Sequence, residues 1–268
     1  MQTIIGFVSD FGLEDAWVGV CRAVIYQACP QARVVDLAHQ IPPYDIRKGA
    51  VAASAGVWQL PNAIHLVVVD PGVGGGRRDL CLVTEAGTML VGPDNGVLLP
   101  ATWHAGGIAE AFSIDAGKLV ARPPLATFHA RDVLAPAAAA LACGVEPRSL
   151  GDKLDPAGLV PAPYEQGRKE GDVVVTEVLD VDRFGSLRFG VYAEQVAGFG
   201  LEVPKLGVSL GHLSMVVAFG KTFSDVSEGD PVCIVDSSGL LTLAVRLGSA
   251  SERYSVEAGD AVRLHPAG

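Results

Sequence analysis

The feature that most constrains the fold is an apolar run that ends abruptly in a carboxylate. Residues 64–69 are almost entirely apolar, which indicates a strand buried on both faces of an α/β sheet. Asp70, Pro71 and a loop with four glycines follow, and the loop leads to Arg77 and Arg78. Ligands in open α/β sheets bind at the carboxyl ends of strands, and glycines let the backbone approach a ligand closely. The stretch therefore predicts a functional site. The alternative is an ordinary strand-to-strand turn with a surface Asp–Arg pair.

The flanking chain alternates strands with helices. Apolar residues recur at helical spacing over residues 16–29, Pro30 stops that helix, and Asp45 is placed to cap the next one. The predicted strands cover residues 3–9, 33–38, 64–69, 80–84 and 89–91, and the predicted helices cover 16–29, 45–60 and 133–143. This alternation indicates an α/β domain with a largely parallel sheet.

The pattern changes after a segment rich in proline, glycine and charge. Beyond it, turn residues recur about every 10 residues and no long helical pattern is present, which indicates an all-β domain. Its predicted strands cover residues 172–179, 187–192, 214–219, 232–235, 240–247 and 261–265. The predicted organisation is an N-terminal α/β domain over 1–160, a linker over 161–171 and a C-terminal β domain over 172–268.

Composition excludes several kinds of partner. The 268 residues carry a net charge of −10, which disfavours nucleic acid, and no apolar run approaches the ~18 residues that span a membrane. The chain starts directly with a strand pattern and without a basic leader, so a cytoplasmic location is expected. Its five cysteines are scattered without a C-x-x-C pair, and they are interpreted as apolar fillers of a reduced protein. The histidines do not pair at metal-ligand spacing, so no metal site is predicted.

Short motifs extend this picture along nearly the whole chain in a fixed order. They are Ser9-Asp10-Phe11-Gly12 with Asp15, Trp17, Val18 and Gly19, Pro43-Tyr44-Asp45-Ile46, Val69-Asp70-Pro71-Gly72-Val73-Gly74, Gly92-Pro93-Asp94-Asn95-Gly96, Thr127-Phe128-His129, Asp182-Arg183-Phe184-Gly185, Thr222-Phe223 and Ser237-x-Gly239-x-Leu241-x-Leu243-Ala244. With this set the chain resembles the S-adenosylmethionine (SAM) hydroxide adenosyltransferases. Members of that family hydrolyse SAM to adenosine and methionine, and they are related to fluorinating and chlorinating enzymes.

The resemblance implies a β-barrel-like C-terminal domain and homotrimers with active sites at subunit interfaces. It implies a small-molecule substrate and no cofactor. An Asp–Arg–His set that activates water would fall on Asp70, Arg77 and His129. Arg77 would favour hydroxide, His129 would accept or relay a proton, and Asp70 would fix the arginine and the water. Taken singly, Asp70 and His129 could instead be capping or packing residues, and Arg77 could be a solvated partner.

The resemblance also implies substrate contacts. Asp10 would accept the ribose hydroxyls, Tyr44 would pack on the ribose, and Phe223 would stack on adenine. Ser186 and the backbone near Ser249 and Ala250 would read the adenine edge. Asp182 or Asp180 would meet the methionine ammonium, and Ser237 its carboxylate. The predicted set is completed by Trp17, Asn95, Phe128, Phe184, Thr242 and Val245.

Three positions depart from the family pattern, all in the C-terminal half. Ser186 and Arg246 stand where the family usually has Asn, and Thr242 stands where it has Glu, so adenine recognition could differ here. Halogenation is the nearest rival, but Asp70 replaces the Tyr of the halogenating relatives and would repel a halide. Ala130 replaces their Ser. A non-catalytic SAM or adenosine sensor is the rival from another class.

Overall fold

The structure is a computed structural model that describes residues 4–119 and 125–267. Thr3, the first residue of the first predicted strand, lies outside the described residues. The chain divides into two compact units, Met1–Pro163 and Tyr164–Gly268. None of the described helices is both long enough and apolar enough to cross a membrane.

The first unit is built on a seven-stranded sheet in the order β2-β1-β3-β5-β4-β6-β7. Its strands are β1 Ile4–Ser9, β2 Arg33–Ala38, β3 Ile64–Val68, β4 Asp79–Thr84, β5 Met89–Pro93, β6 Ile108–Ser113 and β7 Lys153–Leu154. Its α-helices are α1 Trp17–Ala28, α2 Ile46–Gln59, α3 Leu99–Trp103 and α4 Ala135–Ala142, and a π-helix, Ala130–Leu134, runs directly into α4.

The first half of this sheet is parallel and contains a topological switch point. β2, β1, β3 and β5 run in one direction. The chain leaves β1 through α1 toward β2 and then returns through α2 to β3, on the other side of β1. The ends of β1 and β3 are adjacent, with Ser9 in register with Val68. A crevice at such a point is where α/β sheets bind ligands.

The second half of the sheet is antiparallel, and a short connection joins its first two strands in chain order, β4 and β5. β4 and β5 are joined by a tight turn in which the Gly87 N–H donates to the Thr84 carbonyl at 2.8 Å. β6 and β7 extend the antiparallel part. Because β4 runs against β5, its first residue lies at the same edge of the sheet as the last residues of β3 and β5.

Local signals explain the main helices. Asp45 caps α2 as predicted, because its side chain accepts the Lys48 N–H at 2.8 Å. Val18, Cys21 and Ile25 form the buried face of α1.

The interpretation of the five cysteines as apolar fillers is wrong for Cys143, which is exposed just after α4. The other four cysteines are buried.

The second unit is a closed seven-stranded barrel with one added strand. Its strands are β8 Arg168–Glu170, β9 Val173–Val181, β10 Leu187–Tyr192, β11 Lys205–Leu210, β12 Leu213–Phe219, β13 Pro231–Val235, β14 Leu240–Val245 and β15 Ala261–Pro266, with short helices α5 Ala193–Gly198 and α6 Ala250–Tyr254. The order is β10-β14-β13-β12-β11-β15-β9-β8, and pairing of β10 with β9 closes the ring. The predicted α/β class and the barrel-like C-terminal domain are both confirmed.

Two features of this unit differ from the sequence interpretation. β8 forms within the segment predicted as a linker and pairs with β9. β11 was not predicted, because Pro204 before it and Gly207 inside it are typical of turns rather than strands.

Candidate active site

A cleft of about 640 Å³ opens at the switch point of the first unit. Asp10 follows β1 directly and Asp70 follows β3 after one residue, so the sheet brings these two carboxylates to the same cleft. His129 and Phe128 reach it from the start of the π-helix. The cleft thus combines two acids, an imidazole and aromatic walls. Its lining is Asp10, Phe11, Trp17, Pro43, Tyr44, Val68, Asp70, Val73, Thr127, Phe128, His129 and Ala130.

A chain of charged groups runs behind the cleft from Asp70 to His129. Arg77 Nε donates to Asp70 Oδ1 at 2.8 Å, and a terminal nitrogen of Arg77 bonds to Asp70 Oδ2. The other terminal nitrogen bonds to Asp79 Oδ1, and Asp79 Oδ2 lies 2.8 Å from His129 Nδ1. The side chains of Asp70, Asp79 and Arg77 are 6%, 8% and 10% exposed, so the interactions are largely shielded from water.

Arg77 lies in the layer behind the cleft rather than in its lining. Burial alone would lower the pKa of its guanidinium, but the hydrogen bonds and charges of Asp70 and Asp79 outweigh it and raise the pKa. Arg77 is therefore a permanent cation that holds two carboxylates in place. Asp70 and His129 are the members of the predicted water-activating set that line the cleft.

Asp79 was missed by the sequence interpretation, which looked for functional groups where parallel strands end. Asp79 is instead the first residue of β4. Because β4 is antiparallel to β5, with Asp79 in register with Pro93, the start of β4 lies at the functional edge of the sheet. The available signal was a carboxylate directly after the two arginines of the glycine loop.

The glycine-rich loop is packed under the segment that carries His129. Gly74 has φ +77°, and a Cβ there would lie 2.5 Å from the Ala126 carbonyl oxygen. A side chain at this position would push the two segments apart. His129 itself immediately precedes the π-helix, in which the Ala135 N–H donates to the Ala130 carbonyl. Such π-helical turns occur frequently at functional sites.

Asp10 is tied to the neighbouring loop through one of its oxygens. Asp10 Oδ2 accepts the Tyr44 N–H at 2.9 Å, while Tyr44 adopts a left-handed backbone with φ 69°. The Tyr44 side chain is 71% exposed beside the cleft. Burial, with a smaller contribution from Asp70, raises the pKa of Asp10 despite this backbone hydrogen bond.

Aromatic side chains form one wall of the cleft. Phe11 contacts Trp17 and Phe128 edge to face, with ring centroids 5.9 and 6.0 Å apart. Trp17 remains 47% exposed, which leaves it a free face. Asn95, predicted to bind substrate, lies outside this lining. Its Nδ2 donates to the Val69 carbonyl at 2.8 Å and so supports the residue before Asp70.

The barrel unit has its own cleft of about 900 Å³, beside the loop between β9 and β10. It gathers six of the predicted substrate-binding residues: Asp182, Phe184, Ser186, Phe223, Val245 and Ser249. Asp182 Oδ1 shapes the loop by accepting the N–H groups of Phe184 and Ser186 at 2.8 and 2.9 Å. Gly185, with φ +80°, packs so closely on Ser249 that a Cβ would overlap its hydroxyl.

An arginine with three carboxylates lies next to this loop. Arg188 donates to Asp236 at 2.8 Å and to Asp180 at 3.1 Å, and it lies 3.9 Å from Asp182. Burial would lower the pKa of Arg188, yet these acids raise it. Burial would raise the pKa of Asp236, but bonds from Ser238 and Arg188 lower it. The three carboxylates outnumber the single guanidinium, so the group has two excess negative charges.

The other predicted residues of the barrel unit lie outside the cleft lining. Thr242 is 1% exposed, and its hydroxyl donates to the Leu240 carbonyl at 3.2 Å. Ala250 is fully buried at the start of α6, and Ser237 is exposed next to Asp236. Arg246, one of the departures from the family pattern, does line the cleft, and it donates to the Val226 carbonyl at 2.6 Å.

Across residues 4–119 and 125–267, histidines, cysteines and acids do not come together in a group of three or more that could hold a metal ion. Fold and geometry define a protein of two units, an α/β unit with an acid–imidazole cleft and a barrel unit with a second cleft.

Comparisons with known proteins give the family. The chain matches the model of the SAM hydroxide adenosyltransferase N-terminal domain over residues 5–151 and that of the C-terminal domain over 176–263. The (R)-S-adenosyl-L-methionine hydrolase of Salinispora arenicola is 39% identical over 260 residues, with 97% of each chain covered. The chain belongs to the SAM hydroxide adenosyltransferase family, as the sequence motifs predicted.

Two further similarities agree with this assignment. The crystal structure of an uncharacterized conserved protein from Thermotoga maritima superposes with a TM-score of 0.88 at 33% identity, covering 98% of this chain and 100% of that one. A fluorinase from Actinopolyspora mzabensis is 26% identical over 293 residues, covering 98% of this chain and 97% of that protein. The predicted relation to fluorinating enzymes is therefore confirmed, at a lower identity than that to the hydrolase.

Proposed function

We propose that this protein hydrolyses S-adenosyl-L-methionine to adenosine and L-methionine. The water oxygen attacks the ribose C5′, the C5′–S bond breaks with its electron pair going to sulfur, and one proton is released. The similarity to a SAM hydrolase supports this reaction. The observation that carries it is the Asp70–Arg77–Asp79–His129 chain, which presents a carboxylate and an imidazole to one cleft.

The substrate supplies its own leaving group, because its sulfonium departs as neutral methionine. The protein must hold a water in line with the C5′–S bond and remove its proton. Asp70 accepts a hydrogen bond from this water, and His129 takes the proton. Arg77 contributes from behind the cleft by holding Asp70 in place through its hydrogen bonds. This chemistry invokes no metal or cofactor.

The remaining cleft residues suit the nucleoside. Asp10 has Oδ1 free of the Tyr44 contact, and a carboxylate suits the ribose hydroxyls. Trp17, Phe128 and Tyr44 offer aromatic surface for the sugar. In the barrel unit, Phe223 is 48% exposed and can stack on adenine, with Ser186 and Ser249 at the edge of the base.

In this proposal the barrel unit binds the methionine part of the substrate. The acids around Arg188 carry an excess negative charge, which suits an ammonium, and Asp182 belongs both to this group and to the cleft. Ser237 is proposed to meet the methionine carboxylate. Ser186 and Arg246, where the family has Asn, are proposed to adjust adenine recognition rather than to abolish it.

We further propose a cytoplasmic homotrimer in which each active site joins the first-unit cleft of one subunit to the barrel cleft of its neighbour. The proposal of a shared site rests on the family resemblance and on the different roles assigned to the two clefts. The groups assigned to water and ribose lie in the first unit, and those assigned to adenine and methionine lie in the barrel. A complete site needs one cleft of each kind.

Water is favoured over halide as the nucleophile. Asp70 is ionised and paired, so it repels chloride or fluoride while it can accept a hydrogen bond from water. A purely sensory role is the less favoured alternative, since the similar Salinispora protein is named as a hydrolase.

The test is a direct assay of the purified protein with SAM. Adenosine and methionine should form in equal amounts, without added metal and with EDTA present. A matched reaction in high chloride should give no 5′-chloro-5′-deoxyadenosine. A His129→Ala variant serves as the inactive control. Binding of SAM without turnover would favour the sensor, and halogenated product would favour the rival enzyme.

A further inference from the structure

Asp79 joins the cation behind the cleft to the histidine in it. We propose that Asp79 is a positioning residue for hydrolysis, which fixes His129 with its proton on Nδ1 and Nε2 as the proton acceptor. The inference rests on the proposed function, because it assigns His129 the role of removing the proton from water.

The geometry determines which ring nitrogen is protonated. Asp79 Oδ1 accepts from Arg77, and Oδ2 lies 2.8 Å from His129 Nδ1. An ionised carboxylate can only accept hydrogen bonds, so Nδ1 must be the donor in this pair. Neutral His129 then has its lone pair on Nε2. The side chain is 19% exposed and lines the cleft, so Nε2 is the nitrogen left for a bound water.

Charge provides a second contribution. Asp70 and Asp79 supply two negative charges around the single positive charge of Arg77, which leaves one in excess. That excess charge favours His129 once it has taken the proton and become a cation. The same arrangement, a buried acid behind a histidine base, holds the tautomer and stabilises the imidazolium in serine proteases.

Within residues 4–119 and 125–267, the other charged groups near His129 already have partners or line the cleft. Asp10 and Asp70 reach the same cleft from the ends of β1 and β3. On the π-helix, Arg131 and Asp132 are paired with each other, with two hydrogen bonds of 2.7 Å. Asp79, at the start of β4, is the acid in direct hydrogen-bond contact with the ring.

The central test is Asp79→Asn, which keeps the size of the side chain but removes its charge. Asn can donate to Nδ1 and so favours the opposite tautomer. The variant should lose about 10²- to 10⁴-fold in kcat, the range for a wrongly oriented or mis-tautomerised base. The KM for SAM and the affinity for adenosine should stay near the parent values, because Asp79 lies behind the cleft.

A spectroscopic measurement separates positioning from a merely structural role. Long-range ¹H–¹⁵N spectra of protein labelled at its six histidines report the tautomer of each ring, and a His129→Gln variant assigns the signal. The parent should show Nδ1–H, and Asp79→Asn should show Nε2–H. Asp79→Glu should recover part of kcat together with the parent tautomer.

Asp94→Asn is the matched control. Asp94 is likewise buried and pairs with the adjacent arginine, Arg78, but it does not bond to His129. This variant should keep the parent tautomer of His129. An Nε2–H tautomer in the parent would overturn the inference, even if SAM is hydrolysed. Parental kcat in a folded Asp79→Asn variant would do the same. Absence of hydrolysis by the parent, with Nδ1–H present, would instead overturn the proposed function, and only the assignment of the tautomer to the Asp79 contact would stand.

Discussion

Arg77 is the residue whose removal has the most calculable consequence. Its guanidinium lies between Asp70 and Asp79, which are 6% and 8% exposed. In Arg77→Ala both carboxylates lose their counter-charge but remain where water reaches them poorly. Removing one partner of a buried pair costs about 3–5 kcal/mol, because the remaining charge is left uncompensated. At about 2–4 °C per kcal/mol for a domain of this size, the expected fall in Tm is about 6–20 °C.

The protein contains a convenient reporter for this effect. Its three tryptophans, Trp17, Trp58 and Trp103, all lie in the first unit, so their fluorescence follows unfolding of the unit that contains Arg77. Urea titrations of Arg77→Ala should show the loss of free energy of unfolding. The control is Arg22→Ala, which breaks a pair whose side chains are each 39% exposed and should cost at most about 1 kcal/mol.

A compensating variant tests the cause. Asp70→Asn/Arg77→Met/Asp79→Asn removes all three charges together and should recover most of the lost stability, since the buried charges have gone. Activity should stay low in both variants. If Arg77→Ala costs no more than Arg22→Ala, the carboxylates are not held in a shielded environment and the reasoning is refuted. Failure of the triple variant to recover would point to lost packing instead of uncompensated charge.

Two further predictions concern Asp10 and the shared site. The pKa of Asp10 is raised in the folded protein, so its contribution to stability is full below the ordinary value of 3.8 and is lost as pH rises through the raised pKa. Asp10→Asn should therefore be at least as stable as the parent near neutral pH yet bind adenosine more weakly, and lower stability at pH 7 in urea titrations would contradict this. For the site, His129→Ala and Phe223→Ala should each be inactive, and activity should return when they are mixed under subunit exchange. Continued inactivity after exchange, verified by mass spectrometry, would exclude sites shared between subunits.

The parts of the fold set by local patterns were predictable from the sequence. The apolar run of β3 and the Asp45 cap of α2 depend on neighbouring residues only. The meeting of Asp10 and Asp70 followed from a general property of parallel sheets, that their carboxyl ends share an edge. These predictions needed no knowledge of distant pairing.

Pairing over long distances could not be predicted in the same way. Asp79 reaches the site only because β4 is antiparallel to its neighbours, a fact that depends on strand order. Arg77 is buried because Asp70 and Asp79, which follow β3 and begin β4, two strands separated by β5 in the sheet, both bond to its guanidinium. In the barrel, Thr242 stands at a position where the family has Glu, but its side chain is buried and bonds to the Leu240 carbonyl, and a comparison of motifs does not report burial. The substrate-binding roles of these residues stay predictions.

The direction in which His129 points depends on the number of residues in the π-helix between it and α4. A π-helical turn holds one residue more than an α-helical turn, so it behaves as an insertion tolerated within the helix. Deleting one residue from Ala130–Leu134 would restore a regular helix but would rotate His129 by about 100° relative to the packed face of α4. The helix could then keep its packing against the core or the position of His129 in the cleft, but not both. Single-residue deletions in this segment should therefore abolish activity or destabilise the first unit. Substitutions that preserve its length do not have this effect on the position of His129.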